Sequence, residues 1–232
     1  MIEQLKSLDN SLLLALNGSD SAYWDAVMWI ITKTQTWIPL LVVVLYVVLK
    51  NCGFRRFLLI VVGLALTILL ADRISSGLIK PFFMRWRPTH DATFLDTIDT
   101  VFAYRGGRYG FVSSHAANTF AVFAYLSLIL RSRLMTFALL LWACLSTYSR
   151  VYLGVHFPGD VLFGSLLGLL LGLLVYRLYV RASELSDGGE RQYYSTAYTS
   201  SGFLHSDMHL LVFTLMLTYL CVFLVAIPLA TR

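Results

Sequence analysis

Long uninterrupted apolar runs constrain this sequence more than any other feature. Val161–Val180 is one such run, broken only by Arg177 near its end, and Leu210–Ala230 is another that contains no charged residue. A helix needs about 20 apolar residues to cross the roughly 30 Å hydrocarbon core of a bilayer. Runs of this length therefore predict transmembrane helices.

Four further apolar runs bring the predicted number of spans to about six. They are Trp37–Leu49, Phe57–Leu78, Ala116–Leu130 and Leu134–Tyr148. The first is short, and a helix that starts near Tyr23 would carry it. Because 58% of the residues are hydrophobic and only 13% are charged, about half the charged share of soluble domains, a soluble helical bundle is disfavoured. The sequence predicts an all-α integral membrane helical bundle.

The chain divides into four segments of different character. Residues 1–20 form an amphipathic segment, either a helix on the membrane surface or the first turns of the bundle. Residues 21–182 form the membrane core, 183–207 a polar linker rich in Gly, Ser and Tyr, and 208–232 the last transmembrane helix. The apolar positions at helical spacing in the first segment are Ile2, Leu5, Leu8, Leu12 and Leu16.

Basic residues after alternate spans predict the orientation, because short basic loops mark the cytoplasmic side. Six spans with such loops would leave both termini facing outward. These residues are Lys50, Arg55, Arg56, Arg131, Arg133, Arg177, Arg181 and Arg191. The opposite side also holds cations, which would be explained if they bind an anionic ligand. They are Lys80, Arg85, Arg87, Arg105, Arg108 and Arg150.

Three polar stretches lie at membrane exits, and the six-span topology places all three at the same face. They are K-P-F-F-M-R-W-R-P at 80–88, F-V-S-S-H-A-A-N-T-F at 111–120 and S-R-V-Y-L-G-V-H-F-P-G-D at 149–160. Lys80, Arg87 and Arg150 carry the charge and hydrogen-bonding groups that bind a phosphate. Arg85 either joins them or extends its charge to the lipid headgroups.

Two serines and two histidines complete these stretches. Ser113 and Ser114 precede a predicted helix whose N-terminal N–H groups can bind an anion, although Ser113 can equally cap that helix. Asp160 can accept a hydrogen bond from one nitrogen of His156, which leaves the other nitrogen as a nucleophile. His115 would then protonate the leaving group. The alternative interpretation of Asp160 is a helix cap beside an exposed histidine.

The combined motifs resemble the type-2 phosphatidic-acid phosphatase family. The resemblance rests on K-x-x-x-x-x-x-R-P, S-x-H and S-R-x-x-x-x-x-H-x-x-x-D, and it covers residues 20 to 180. It implies a six-helix membrane phosphatase without metal or cofactor, in which His156 forms a phosphohistidine, Asp160 orients it and His115 protonates the leaving oxygen. The groups implied to hold the phosphate are Lys80, Arg87, Ser113, Ser114 and Arg150.

One motif departs from the family pattern. The family has P-S-G-H where this chain has V-S-S-H, so that Val112 replaces a proline and Ser114 replaces a glycine. In the family, the backbone N–H of that glycine lies against the phosphate. Ser114 still offers a backbone N–H, so catalysis is expected to persist with a tighter or more polar phosphate site.

The leading prediction is hydrolysis of a lipid phosphate or diphosphate at the outer, periplasmic face of a bacterial inner membrane. Undecaprenyl diphosphate is the favoured substrate, followed by phosphatidylglycerophosphate, with lipid A phosphates and phosphatidic acid as alternatives. A non-enzymatic lipid-phosphate binding or transport protein is the alternative of another class. A vanadate-dependent haloperoxidase shares this type of anion site, but those enzymes are soluble. The expected partners are the substrate and membrane lipids, with no nucleic acid, and the oligomeric state stays open.

Overall fold

The structure, a computed structural model, describes residues 2–187 and 196–231, and the regular elements of this part of the chain are helices. A π-helical segment, Arg73–Ile79, follows Asp72, and a 3₁₀ turn, Thr34–Trp37, precedes Ile38. The all-α fold class is therefore confirmed. The helices are α1 (Ile2–Leu16), α2 (Ala22–Ile31), α3 (Ile38–Asn51), α4 (Phe54–Asp72), α5 (Lys80–Phe83), α6 (Ser114–Leu130), α7 (Arg133–Tyr152), α8 (Pro158–Asp187) and α9 (His205–Ala230).

Five helical segments within the described ranges are long and apolar enough to cross a membrane. They are Thr34–Asn51, Phe54–Phe83, Arg133–Tyr152, Pro158–Leu185 and His205–Ala230. The apolar helix α6 has 17 residues and packs against α4, α7 and α8. With α6 the bundle has six helices of spanning or nearly spanning length, as the apolar runs predict. The protein is a multi-pass membrane protein.

Close packing of α6 on α8 holds the centre of the bundle together. Gly164, Gly168 and Gly172 recur every four residues along α8 and lie directly against the backbone of α6. A Cβ at Gly164 would come within 2.5 Å of the carbonyl oxygen of Ser113, which caps α6, and a Cβ at Gly172 equally close to that of Ala121. A Cβ at Gly168 would collide with the carbonyl oxygen of Ala117. Small residues at this spacing let membrane helices approach closely. The contact fixes the N-terminus of α6 beside the N-terminus of α8.

The predicted continuous helix from Tyr23 through the first span is wrong, because the chain breaks between α2 and α3. Pro39 lies in the first turn of α3, where it fits because it has no N–H to donate. The Thr36 hydroxyl and the Trp37 indole donate to the carbonyls of Ile30 and Ile31 at the end of α2. These side chains satisfy the carbonyl groups that the break leaves without helical partners.

The terminal helices only partly follow the predicted segment boundaries. Helix α1 exposes Leu5, Leu8 and Leu12 and buries Leu13. Helix α8 continues to Asp187 and α9 begins at His205, so both helices extend into the predicted linker 183–207. Residues 188–195 of that linker, including Arg191, lie outside the described residues.

Basic loops and the end of the linker meet at one end of the bundle. Lys50 pairs with Asp207, with 2.7 Å between Nζ and Oδ1. Arg56 donates to the Tyr179 hydroxyl at 3.1 Å, and Arg131 donates to the Tyr176 hydroxyl. The three polar stretches from the sequence lie at the opposite end.

Candidate active site

Helix ends bring the three polar stretches together. Lys80 begins α5, Ser113 caps α6, Arg150 lies in the last turn of α7, and Asp160 lies in the first turn of α8. The backbone N–H of Ser113 donates to the carbonyl of Asp160 at 2.9 Å, which joins the second stretch to the third. Helices α6 and α8 begin, and α7 ends, at this level of the bundle, so side chains from distant parts of the sequence converge there.

A buried pair, His156 and Asp160, lies at the centre of the site. The two side chains are almost completely buried, with 3.4 Å between the imidazole Nδ1 and the carboxylate Oδ2. The backbone N–H of Phe157 donates to the same oxygen at 3.1 Å. Since Nδ1 faces the carboxylate, Nε2 is the ring nitrogen available to another group.

Two buried arginines lie beside this pair. The Arg87 side chain donates to the carbonyls of Val155 and Tyr109, each at 3.2 Å, and this joins the first stretch to the loop before His156. Arg150 donates to the Thr32 hydroxyl at 2.7 Å and to the Tyr104 hydroxyl at 3.4 Å. These partners are neutral, and no carboxylate of the described residues contacts either guanidinium directly.

The basic side chains of the site have more hydrogen-bond donors than the described residues provide acceptors for. The buried Nε of Arg150 has no acceptor among the described residues, and Lys80 Nζ donates to none of them. Burial, followed by repulsion from Arg150, lowers the pKa of Arg87 to about 10. Cations this close and buried favour an anionic ligand with several oxygens, such as a phosphate.

The same environment keeps His156 uncharged. Burial lowers the pKa of His156 well below 6.5, and the positive charges of Arg87, Arg150 and Lys80 lower it further. The imidazole is therefore neutral near pH 7 and has a lone pair on one nitrogen. A neutral imidazole is the form that acts as a nucleophile.

The second histidine has its own partner. Nε2 of His115, in the first turn of α6, lies 2.9 Å from the hydroxyl of Ser146 on α7. Ser146 precedes Arg150 by four residues, so both side chains lie on one face of α7. Ser146 thus orients His115, and its spacing from Arg150 is the sequence signal that could have identified it.

The two predicted phosphate-binding serines differ in their contacts. The Ser113 hydroxyl accepts the N–H of Ala116 at 3.3 Å, so this side chain caps α6. The Ser114 hydroxyl lies 2.8 Å from that of Ser76 in the π-helical segment. Both side chains therefore have protein partners, and Ser114, as the first helical residue, presents a backbone N–H at the helix end.

Sequence reasoning missed several residues that support the site. Thr32 and Tyr104 hold Arg150, and they come from the α2–α3 break and from the loop before α6. Arg85 contacts Asp160 rather than the lipid headgroups, and it also binds Asp9 of α1. Pairs this distant along the chain leave no periodic signal in the sequence.

Apolar side chains extend from the site along the outside of the bundle. Phe82 is 80% exposed and Phe83 is 56% exposed, two and three residues after Lys80. Phe83 contacts Phe111 at 4.8 Å between ring centroids, and Phe111 contacts Phe163 on α8 at 5.6 Å. This aromatic strip suits a ligand that has an apolar tail beside its phosphate.

Groups of three or more His, Cys, Asp or Glu side chains that could hold a metal ion do not occur in the described part of the chain. Of the three cysteines, Cys52 is buried, whereas Cys144 and Cys221 lie on the outer faces of α7 and α9.

Comparison with known proteins agrees with the geometry. The PAP2 superfamily matches residues 56–184. A lipid A 4'-phosphatase from Porphyromonas gingivalis is 35% identical over 78% of this chain and 77% of its own length. A lipid A 4'-phosphatase from Bacteroides thetaiotaomicron is 38% identical over 76% of this chain and 79% of its own length. Escherichia coli YbjG, named as a putative undecaprenyl-diphosphatase, is 34% identical over 72% of this chain and 80% of its own length.

A solved structure shares the fold. The crystal structure of a transmembrane PAP2-type phosphatidylglycerolphosphate phosphatase from Bacillus subtilis superposes with a TM-score of 0.58. The two sequences are 24% identical, and the superposition covers 75% of this chain and 86% of the Bacillus subtilis chain. Together with the family match and the relatives, this fold leads to one conclusion: the chain belongs to the PAP2 superfamily and is a membrane phosphatase that acts on lipid phosphates.

Proposed function

We propose that the chain hydrolyses a lipid phosphate through a phosphohistidine formed on His156. Nε2 of His156 attacks the phosphorus, and the bond between phosphorus and the lipid oxygen breaks. His115 gives a proton to that oxygen. A water molecule then attacks the phosphohistidine after His115 takes its proton, which releases inorganic phosphate and restores both histidines.

The cations and the end of α6 stabilise the transition state in this proposal. Lys80, Arg87 and Arg150 balance the negative charge that spreads over the phosphoryl oxygens. The backbone N–H of Ser114 adds a donor at the helix N-terminus. Asp160 holds Nδ1 of His156 and stabilises the charge that develops on the ring during attack.

One observation carries the proposal: the buried His156 has a carboxylate behind one nitrogen and three cations near the ring. A protein that only bound phosphate would need the cations, but it would gain nothing from a neutral, oriented imidazole. The arrangement is that of an activated nucleophile next to an anion site.

For the substrate, we propose the 4'-phosphate of lipid A. Two relatives of 35% and 38% identity, each covering more than three quarters of both chains, carry this activity in their names. The sequence alone favours undecaprenyl diphosphate, which becomes the second candidate. It is supported by the 34% identity to YbjG.

We further propose that the site faces the periplasm. The basic loops around Lys50, Arg56 and Arg131 lie at the opposite end of the bundle, and basic short loops stay on the cytoplasmic side. Lipid phosphates in the outer leaflet of the inner membrane would then reach the site from the side of the aromatic strip.

A phosphate-release assay on defined lipids tests the function and the substrate together. The panel contains lipid A with both phosphates, lipid A with the 1-phosphate alone, undecaprenyl diphosphate, phosphatidylglycerophosphate and phosphatidic acid. We expect the highest kcat/KM for lipid A that carries the 4'-phosphate and no phosphate release from lipid A that carries the 1-phosphate alone. The His156→Ala variant should release no phosphate from any of these lipids. A higher kcat/KM for undecaprenyl diphosphate would support the second candidate instead. Turnover by His156→Ala would contradict the mechanism.

A further inference from the structure

The Arg85 side chain lies between two carboxylates. Its Nη1 donates to Oδ1 of Asp160 at 2.8 Å, and its Nη2 donates to Oδ2 of Asp9 at 2.7 Å. The guanidinium also stacks on the ring of Phe157, 4.0 Å from its centroid. Asp160 is fully buried, and the Asp9 side chain is 14% exposed. Arg85 is thus held on three sides by residues around the proposed nucleophile.

The two oxygens of Asp160 have different partners. Oδ2 accepts the N–H of Phe157 and faces His156, whereas Oδ1 accepts the charged hydrogen bond from Arg85. A carboxylate with one oxygen bound to a guanidinium cannot rotate freely about its terminal bond. Arg85 therefore fixes the plane of the carboxylate so that Oδ2 points at the imidazole. It also compensates a negative charge that burial would otherwise disfavour.

Asp9 connects helix α1 to this arrangement. Its Oδ1 accepts the N–H of Gly159 at 2.7 Å, in the first turn of α8, while its Oδ2 binds Arg85. One turn further along α1, Leu13 is fully buried in an apolar cluster that includes Phe157. Leu8 and Leu14, which point away from this face of α1, are exposed. One face of α1 therefore packs on the site, and the other faces outward.

We propose that Arg85 and Asp9 are positioning residues of the phosphatase reaction. Arg85 holds Asp160 ionised and oriented behind His156, and Asp9 holds Arg85, which makes α1 part of the catalytic apparatus. Neither side chain contacts the reacting atoms. The inference rests on the proposed roles of His156 and Asp160, and it holds for any lipid phosphate that the enzyme hydrolyses.

A purely structural ion pair between α1 and the bundle would show the same contacts, so the test needs a readout of chemistry. The pH profile of kcat/KM supplies one, because it follows the ionisation of the catalytic groups. The titratable and charged groups that face His156 and Asp160 are Lys80, Arg85, Arg87, Arg150, His115 and Asp9. The variants below change only Arg85 and Asp9 within this set.

Arg85→Gln removes the charge and the two-pronged contact. We expect kcat to fall on the order of tenfold to a hundredfold, as when the partner behind a functional histidine is lost. KM should stay within about threefold, because the phosphate-binding cations are unchanged. The acid limb of kcat/KM should move to higher pH, because the buried carboxylate behind His156 loses the positive charge that compensates it. Arg85→Lys keeps a charge and should fall between wild type and Arg85→Gln.

Asp9→Asn is the milder companion variant. The amide oxygen can still accept the N–H of Gly159, but the charge that holds Arg85 is lost. We expect a smaller fall in kcat and a smaller shift of the acid limb in the same direction. In the Arg85→Gln background the Asp9 change should add little, because both residues act through one contact. Glu3→Gln is the matched control, since Glu3 lies on the same helix and is 87% exposed.

Unfolding temperatures in detergent are measured for every variant. A wild-type kcat and a wild-type pH profile in Arg85→Gln would overturn the inference, even if the unfolding temperature of this variant fell. If His156→Ala were inactive in the same experiment, the proposed function would still stand. Turnover by His156→Ala would overturn the proposed function itself. If Arg85→Gln does not fold, Arg85→Lys and Asp9→Asn decide by the same readouts, and wild-type values in both would overturn the inference.

Discussion

At the scale of single residues, the two nitrogens of His156 have different surroundings. Nδ1 faces Asp160 at 3.4 Å, and Asp160 is in turn bound by Phe157 N–H and Arg85. The cations Lys80, Arg87 and Arg150 act on the same ring electrostatically. This asymmetry fixes the tautomer and keeps one lone pair available for the attack on phosphorus that we propose.

The lowered pKa of His156 predicts the acid side of the pH profile. Because burial and the nearby cations place this pKa well below 6.5, the imidazole stays neutral as the pH falls through 6.5. The enzyme-derived acid limb of kcat/KM should therefore lie below pH 6.5. Measuring the profile with two substrates, a phosphate monoester and a diphosphate, distinguishes this enzyme limb from ionisation of the substrate, because only the enzyme limb is common to both. A common limb at or above pH 6.5 would contradict the assigned nucleophile.

Ser114 allows a test of the backbone N–H at the start of α6. Ser114→Gly keeps this N–H and loses only the hydroxyl contact to Ser76, so kcat/KM should stay within about tenfold of wild type. Ser114→Pro removes the N–H at the first helical position, where proline is tolerated, so the fold should persist while kcat falls about a hundredfold or more. Equal activity of the two variants would show that this N–H has no catalytic role.

Sequence reasoning identified the charged residues of the site better than their supports. Arg87, Arg150, His156 and Asp160 are unusual in so apolar a chain, and their spacing within short stretches marks them. Asp9, Thr32, Tyr104 and Ser146 are ordinary residues that become relevant only through contacts made by folding. In the sequence, Arg85 is recognisable only as a cation at a membrane exit. The structure shows that its side chain lies between two carboxylates.

At the scale of elements, the site depends on how α6 and α8 are packed. The glycines of α8 bring its axis against α6, and this contact sets the hydrogen bond between Ser113 and Asp160. The length of their apolar runs predicted these helices. The break between α2 and α3 was not predicted, because two side chains replace the missing helical hydrogen bonds there.

Gly168→Ala should disturb this packing. Its Cβ would collide with the carbonyl oxygen of Ala117, a backbone atom that cannot move aside without moving α6. We expect the free energy of unfolding to fall by about 1–3 kcal/mol, and kcat to fall with it because Asp160 moves relative to Ser113. Gly53→Ala is the control, since no atom lies within 4 Å of a Cβ at that position. Equal stability of the two variants would argue against close helix approach.

At the scale of the whole molecule, two polar ends enclose an apolar bundle. One end holds the cations that we propose bind phosphate, and the other holds the basic loops that pair with Asp207, Tyr176 and Tyr179. The number of spans and the convergence of the three stretches follow from the sequence, because alternate loops of a membrane bundle must lie on the same side. The sequence could not predict which groups pair with the cations at the second end, because these partners lie on α8, on the linker and on α9.

Labelling of single cysteines tests the proposed orientation. In a background without the native cysteines, Gly107→Cys at the site end should react with an impermeant maleimide in cells whose inner membrane is intact. Arg133→Cys at the other end should react only after that membrane is opened. Both positions are exposed, so accessibility within the protein does not limit the reaction. The reverse pattern would place the site in the cytoplasm.

The central claim is that the phosphoryl group passes from a lipid to His156 at one end of the bundle. The most direct measurement mixes enzyme with a ³²P-labelled lipid phosphate that it hydrolyses, stops the reaction within milliseconds and maps the labelled peptide. Our account predicts a label that is stable in alkali, labile in acid and attached to His156, and it predicts no label in His156→Ala. A label on another residue, or single-turnover hydrolysis that never labels the protein, would contradict the account.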